Sequence, residues 1–434
     1  MVIMDTKVVA LVMINLIAIN GFVLAVSSGT NQSGIEKMTD KEQNVTHERT
    51  IINPFGIQWE KNYGSWHQWS ARYEGPQPVG DADNDGLNEL LIGGRDPFMR
   101  VMKWDQKNKV YYEQQKIMDP VLGIGYSVGI RFLNEYYRIP QPFGSATGFS
   151  IADITNDGEN EIGVAWGNHF SAFKWNGHRY QLLGRYIIVD EDGNEYRGTT
   201  LDCVVGDYDM DGENEVIVTG GYRDVPEVVI LTWDGEKFIE EATWSDPHSG
   251  SVYFPWIADV DEDGENEVIV GAGNQLVVLN WDGDSLVSTV VHEYSRRTQV
   301  FGCIAKDSTG DGKPEIHVTF YTPELAIFKW NGSTYEQIHY QIWEGEEATI
   351  EAIDIGDVDG DHKAEVCVGT NLVHILEWNG DAYEEEYLIN DTYGMLAVTC
   401  VGDFDNDNLF EINAGAVGNV GDEGYMSWIF KYEL

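Results

Sequence analysis

A nine-residue acidic pattern recurs seven times along this 434-residue chain, and its spacing limits the fold more than any other feature. The copies read DADNDGLNE from Asp81, DITNDGENE from Asp153, DYDMDGENE from Asp207, DVDEDGENE from Asp259, DSTGDGKPE from Asp307, DVDGDHKAE from Asp357 and DFDNDNLFE from Asp403. Successive starts lie 72, 54, 52, 48, 50 and 46 residues apart. A period near 50 suits one small sheet per repeat.

Each copy sits in the same local pattern. A short apolar run follows the glutamate, as in LLIGG (Leu90 to Gly94), VIVTGG (Val216 to Gly221) and VIVGAG (Val268 to Gly273). A second run ends at Trp175-Asn176-Gly177, Trp233-Asp234-Gly235, Trp281-Asp282-Gly283, Trp330-Asn331-Gly332 or Trp378-Asn379-Gly380. Asn-Gly and Asp-Gly favour the positive φ of two-residue hairpin turns, so the tryptophan closes one strand and the next begins beyond the glycine. With the apolar segment ahead of each loop, such as YFPWIA (Tyr253 to Ala258), every repeat holds four short antiparallel strands. The acidic loop joins the first to the second.

Four-stranded units cannot bury both faces alone, but stacked radially they cover one another. The expected fold is all-β, a seven-bladed β-propeller, with a linear solenoid as the rival. The last repeat, ending in SWIFKYEL (Ser427 to Leu434), supplies a third strand and no fourth, whereas IQWEKNYGSWHQW (Ile57 to Trp69) is spare strand material before the first. An N-terminal strand is therefore expected to complete the seventh blade and close the ring.

The loops also carry chemistry. Side chains at positions 1, 3 and 5 of a tight turn converge, glycine at 6 allows the reversal, the carbonyl at 7 adds an oxygen, and the glutamate at 9 caps the sphere. The first loop thus offers Asp81, Asp83, Asp85, Leu87 and Glu89, and the second Asp153, Thr155, Asp157, Glu159 and Glu161. The third offers Asp207, Asp209, Asp211, Glu213 and Glu215, and the fourth Asp259, Asp261, Asp263, Glu265 and Glu267. Asp307, Thr309, Asp311, Lys313 and Glu315 form the fifth set, and Asp357, Asp359, Asp361, Lys363 and Glu365 the sixth. The seventh is Asp403, Asp405, Asp407, Leu409 and Glu411. All-oxygen coordination suits a hard cation, and Ca²⁺ with six to eight ligands fits better than the smaller, more hydrated Mg²⁺. Up to seven structural Ca²⁺ would cancel 14 of 46 excess negative charges. His362 and Asn408 stand where glycine is expected, and Thr155 and Thr309 replace an acid, so the loops at Asp81, Asp207 and Asp259 are expected to bind tightest.

These loops resemble the calcium-binding DxDxDGxxE elements of FG-GAP (VCBS-type) repeats, as in the propeller of integrin α subunits. The resemblance covers about residues 55 to 434 and implies an extracellular adhesion or ligand-binding module. FG-GAP propellers also accompany lyases and other secreted enzymes.

Charge bears on the partner, and the N-terminus on the address. With 73 acidic against 27 basic residues the formal net charge is −46, which argues against a nucleic-acid partner. Val8 to Val26 is apolar after Lys7 and is followed by small residues, so residues 1–27 read as a cleaved signal peptide or an uncleaved membrane anchor through 8–26. Residues 28–50 read as a flexible polar linker and 51–434 as the propeller. N-x-[ST] triplets at Asn31, Asn44, Asn331 and Asn390 are glycosylation acceptors in a host that uses them. Cys203, Cys303, Cys367 and Cys400 read as buried free thiols, with a Cys367–Cys400 disulfide as the alternative.

No nucleophile or phosphate-loop motif occurs, and His169, His178 and His317 read as solvated or packed strand residues. The recurring tryptophans read as packing between blades. The long insertion behind the 72-residue spacing, GYSVGIRFLNEYYRIPQPFG (Gly125 to Gly144), offers Arg131, Tyr136, Tyr137 and Arg138 as a partner site or as hairpin packing. VDEDGNEY at 189–196 reads as a hairpin tip. The function this favours is a monomeric, secreted or cell-surface, calcium-binding adhesion module for a protein or glycan ligand; a carbohydrate-binding propeller and a secreted lyase or hydrolase are the alternatives.

Overall fold

Each acidic loop turns the chain back on itself, and the apolar runs on either side pair as neighbouring strands. The computed structural model describes residues 51–62, 77–93, 98–118, 127–132, 135–140, 146–167, 169–188, 199–221, 227–245, 252–294, 299–346, 350, 352–417 and 426–433. The expected signal or anchor at 1–27, the linker at 28–50, Asn31, Asn44 and the stretch 189–196 lie outside them.

Blade 1 comprises Val79–Gly80, Glu89–Ile92, Phe98–Asp105 and Val110–Met118, and blade 2 Ala146–Ala152, Glu161–Trp166, His169–Trp175 and Tyr180–Ile187. Blade 3 comprises Thr199–Gly206, Glu215–Gly221, Val228–Trp233 and Phe238–Trp244, and blade 4 Val252–Ala258, Glu267–Ala272, Gln275–Trp281 and Leu286–Glu293. Blade 5 is Val300–Lys306, Glu315–Phe320, Glu324–Trp330 and Tyr335–Ile342; blade 6 is Ile353–Gly356, Glu365–Gly369, Val373–Trp378 and Tyr383–Ile389. In blade 7 Met395–Gly402, Glu411–Val417 and Met426–Tyr432 are joined by Phe55–Asn62 from the other end of the chain. Phe55 lies opposite Tyr432 and Asn62 opposite Met426. The closing strand begins two residues ahead of the expected segment, and residues 63–69 lie outside the described ones.

Seven clusters of buried side chains hold these sheets together, and each is drawn from two neighbouring blades. Leu91, Phe149, Trp166 and Phe173 fill the seam between blades 1 and 2; Leu90, Trp104, Phe404 and Ile429 fill the one between blades 7 and 1. The other five seams follow in order. A seam between the last and first blades is what a solenoid lacks, so the molecule is a seven-bladed propeller. Sheets covered on both faces need apolar residues at successive positions. That is why Glu161–Trp166, EIGVAW, is buried throughout.

The recurring tryptophans form tilted pairs within their own blades, Trp175 with Tyr180, Trp330 with Tyr335 and Trp378 with Tyr383, and Trp175, Trp233, Trp281 and Trp378 also border the clusters between blades. Their turns differ in one respect from the two-residue form expected. Strands stop at Trp175 and resume at Tyr180, and Asn176 Oδ1 accepts from the N–H groups of His178 and Arg179. The side chain thus caps a longer connection. All four cysteines are buried free thiols, and no Cys367–Cys400 bond forms. The insertion contains a separate hairpin, Ser127–Phe132 with Glu135–Pro140, in which Arg131 pairs with Tyr136, Ile130 with Tyr137 and Gly129 with Arg138. In chain order it falls between the outer strand of blade 1 and the inner strand of blade 2.

Candidate metal centres

Every acidic loop joins the inner strand of its blade to the next strand outward, so all seven emerge at one end of the ring. Two left-handed residues shape each loop. At position 6 the φ angles are 89° at Gly86, 87° at Gly158, 94° at Gly212, 91° at Gly264 and 85° at Gly312, with His362 at 73° and Asn408 at 70° in the same conformation. Position 4 is left-handed as well, including Asn84, Met210 and Glu262, which the sequence pattern did not reveal.

Carboxylates fold these turns by accepting from the backbone. Asp81 takes N–H groups of Asp85 at 2.9 Å and Gly86 at 2.7 Å, and Asp153, Asp207 and Asp403 do the same. Asp85, Asp157, Asp211, Asp263, Asp311, Asp361 and Asp407 each accept from the N–H of position 7, namely Leu87, Glu159, Glu213, Glu265, Lys313, Lys363 and Leu409. The closing glutamates, Glu89, Glu161, Glu215, Glu267, Glu315, Glu365 and Glu411, are all buried. Most use Oε2 to accept from position 2, as from Ala82, Val260 and Val358. The remaining oxygens face one another. Asp81, Asp83 and Asp85 can bring one oxygen each within 4.8 Å of the others, as can Asp207 with Asp209 and Glu215, Asp259 with Asp261 and Asp263, Asp307 with Asp311 and Glu315, and Asp357 with Asp359 and Asp361. Thr155 and Thr309 turn their hydroxyls to Glu161 and Glu315, at 3.2 and 2.8 Å. This donor set, all oxygen and mostly anionic, fits a hard divalent cation.

The residue before the tryptophan at the end of the third strand of blades 1 to 6, and before Tyr432 in blade 7, was not singled out by sequence, yet it lies opposite the closing glutamate in the sheet register. Glu89 pairs directly with Lys103. The same register places Lys174, Thr232, Asn280, Lys329, Glu377 and Lys431 at the equivalent positions of blades 2 to 7. Lys103 Nζ lies 2.8 Å from Asp83, 2.8 Å from Asp85 and 2.6 Å from Glu89. Lys174 reaches Asp157, Glu159 and Glu161 at 2.5, 3.3 and 2.8 Å. Lys329 reaches Asp311 and Glu315 at 2.8 and 2.6 Å, and Lys431 reaches Asp405, Asp407 and Glu411 at 2.6, 2.7 and 2.7 Å.

Electrostatics follow that division. Burial opposes the charge of Lys103, but its three carboxylate partners hold the ammonium above its ordinary range. Burial raises Glu89 and Glu411 to about 7, with their lysines pulling the other way. Without a lysine, burial and neighbouring acids carry Glu215 and Glu267 to about 8 and Glu365 to about 9.

Asparagines at position 8 tie successive loops together. Asn88 Nδ2 donates to the Asp403 carbonyl at 2.9 Å, Asn160 to Asp81 at 3.0 Å, Asn214 to Asp153 at 2.9 Å and Asn266 to Asp207 at 2.8 Å. These staples link blades 7, 1, 2, 3 and 4. Of the histidines considered, His169 and His317 are buried and His178 is exposed. His317 Nε2 lies 2.8 Å from Ser308 Oγ, a contact not evident in the sequence, but Tyr383 closes the other side of the serine at 2.6 Å. Burial pushes His317 down to about 3, and the pair is a packed polar contact in the seam.

Solved structures share this architecture at low sequence identity. The crystal structure of BBS1N in complex with ARL6DN, soaked with mercury, is similar with a TM-score of 0.55 and 12% identity, over 88% of this chain and 98% of that one. A chain in the crystal structure of the mitotic checkpoint complex is similar with a TM-score of 0.51 and 9% identity, over 93% and 99%. What is shared is the propeller fold. No protein-family model matches the sequence, and no curated protein matches it.

Proposed function

We propose that this protein is a calcium-stabilised β-propeller acting as an adhesion or protein-interaction module, secreted or held at the outer cell surface. The observation that carries the reading is the ring of acidic loops at one end of a closed scaffold, with carboxylate oxygens within 4.8 Å of one another in the loops at Asp81, Asp207, Asp259, Asp307 and Asp357. Calcium at such points neutralises charge that otherwise drives the loops apart. A rigid, charged end of this kind presents a fixed surface to a partner, and the solved propellers similar to it include one titled as a complex with ARL6DN. The apolar segment at 8–26 supports the outside address.

Calorimetry of the purified protein in excess chelator, followed by restored calcium, tests the metal. A melting temperature that does not move refutes calcium stabilisation. Screening immobilised cell-surface proteins and glycans with and without calcium tests the partner: binding to glycans alone replaces the adhesion reading with the carbohydrate-binding one, and turnover of a screened polysaccharide replaces it with the enzyme.

A further inference from the structure

The seven loops are built from one pattern but do not face the same environment. In blades 1, 2, 5 and 7 a strand lysine places its ammonium among the carboxylates, where a metal ion would sit. The Lys103 side chain is only 8% exposed, so it cannot swing out without leaving both its stem and Glu89 in altered surroundings. An ammonium and a divalent ion a few ångströms apart repel, and the loop can hold one or the other.

Blades 3, 4 and 6 differ. Thr232, Asn280 and Glu377 occupy the lysine's register position, and none brings a positive charge. All three loops keep the full set of aspartates. Glu215 is 2% exposed with Oε2 lacking any hydrogen-bond partner, and Glu365 is 0% exposed with Oε1 lacking one. Asp259 and Asp261 each bury an oxygen in the same condition; Asp83 and Asp405 do so too, but in loops where a lysine already supplies a positive charge. Buried carboxylate oxygens without partners are costly, and a cation is the ligand that satisfies them. Asn280 offers Glu267 only a neutral amide at 3.1 Å. Lys363 of blade 6 is more than half exposed and lies 2.5 Å from Glu377 and 3.4 Å from Asp361 at the rim of the loop, leaving Glu365 Oε1 unmet.

We propose that the propeller takes three divalent cations, one each in the loops at Asp207, Asp259 and Asp357, while Lys103, Lys174, Lys329 and Lys431 are resident cations that exclude metal from the other four. This rests on the calcium reading above and sets its stoichiometry. Native mass spectrometry and calorimetric titration of the intact chain with calcium ions alone count the sites. Three ions per chain are expected; Asn280→Lys and Thr232→Lys should each give two, and Lys103→Asn should give four. Because Lys103→Asn leaves carboxylates uncompensated and can fail to fold, the two lysine insertions, which supply a cation, carry the test independently, with circular dichroism verifying the fold. Seven ions per chain, or three ions retained in both insertion variants, overturn the partition while leaving calcium binding intact. No calcium bound by the folded wild type overturns the calcium reading and the partition with it.

Discussion

Phe55→Ala tests whether the closing strand holds the ring together. Phe55 is 5% exposed in the seam between blades 6 and 7, edge-on to Tyr387 at 5.8 Å and to Tyr432 at 5.4 Å. Truncating a buried phenylalanine costs about 3–5 kcal/mol, and each aromatic edge contact adds about 0.5–1.5 kcal/mol beyond burial, so about 4 kcal/mol is expected. At roughly 2 cal/mol/K per residue, cooperative unfolding of a ring this size carries an entropy on the order of 0.8 kcal/mol/K. The melting temperature should therefore fall by about 5 °C. Ile57, on the same strand, is 43% exposed, and Ile57→Ala should cost under about 1 kcal/mol. Differential scanning calorimetry of the two variants at one calcium concentration decides it. Equal losses, or a Phe55→Ala shift below about 1 °C, would show that the strand closes nothing the fold depends on.

Chelation should lower the melting temperature, and Asp209→Ala should lose more calcium-dependent stability than Asp359→Ala, because His362 already holds a left-handed φ of 73° that glycine adopts freely; equal losses in a calcium titration refute the ranking. Asn88→Ala removes the donor to Asp403 across the junction of blades 7 and 1 and should cost about 1–2 kcal/mol in guanidinium unfolding; an unchanged midpoint shows that the staple is idle. In calcium-free buffer Glu215, Glu267 and Glu365 have folded-state values raised from 4.5 to about 8, 8 and 9. Their stabilisation is complete below about pH 4.5 and is lost as pH rises through the folded values. Thermal scans should show declining stability across that window, a shallower decline in Glu365→Gln, and none in saturating calcium; a rise with pH in the calcium-free wild type contradicts the assignment.

The repeat period, the four-strand pattern and the spare N-terminal segment were enough to read the propeller and its closure, because each depends on local apolar runs and turn residues. The left-handed position 6 was legible from its glycines and extends to His362 and Asn408. Lys103 and its counterparts were not. Their role appears only when strand register puts the residue before the strand-ending aromatic opposite the closing glutamate, a pairing that no loop motif contains. Asn88 and Asn160 were visible within the motif, but their partners lie on a different blade, and Asp403 is 315 residues from Asn88. Met210 and Glu262 gave no sign of left-handed backbone, since neither is a residue type that prefers it.

The closing strand also imposes an order on biosynthesis. Asn62 and Met426, its last pair, are 364 positions apart, so at about 5–20 residues per second a ribosome takes roughly 20–70 s to deliver the partner of a strand it has already released. For that interval Phe55–Asn62 lacks its native partner Met426–Tyr432, while completed blades offer edges of their own. Neighbouring nascent chains on one message carry the same segment and the same waiting edge. An exchange of Phe55–Asn62 between two such chains would close both rings and leave a strand-swapped dimer whose blades are each intact.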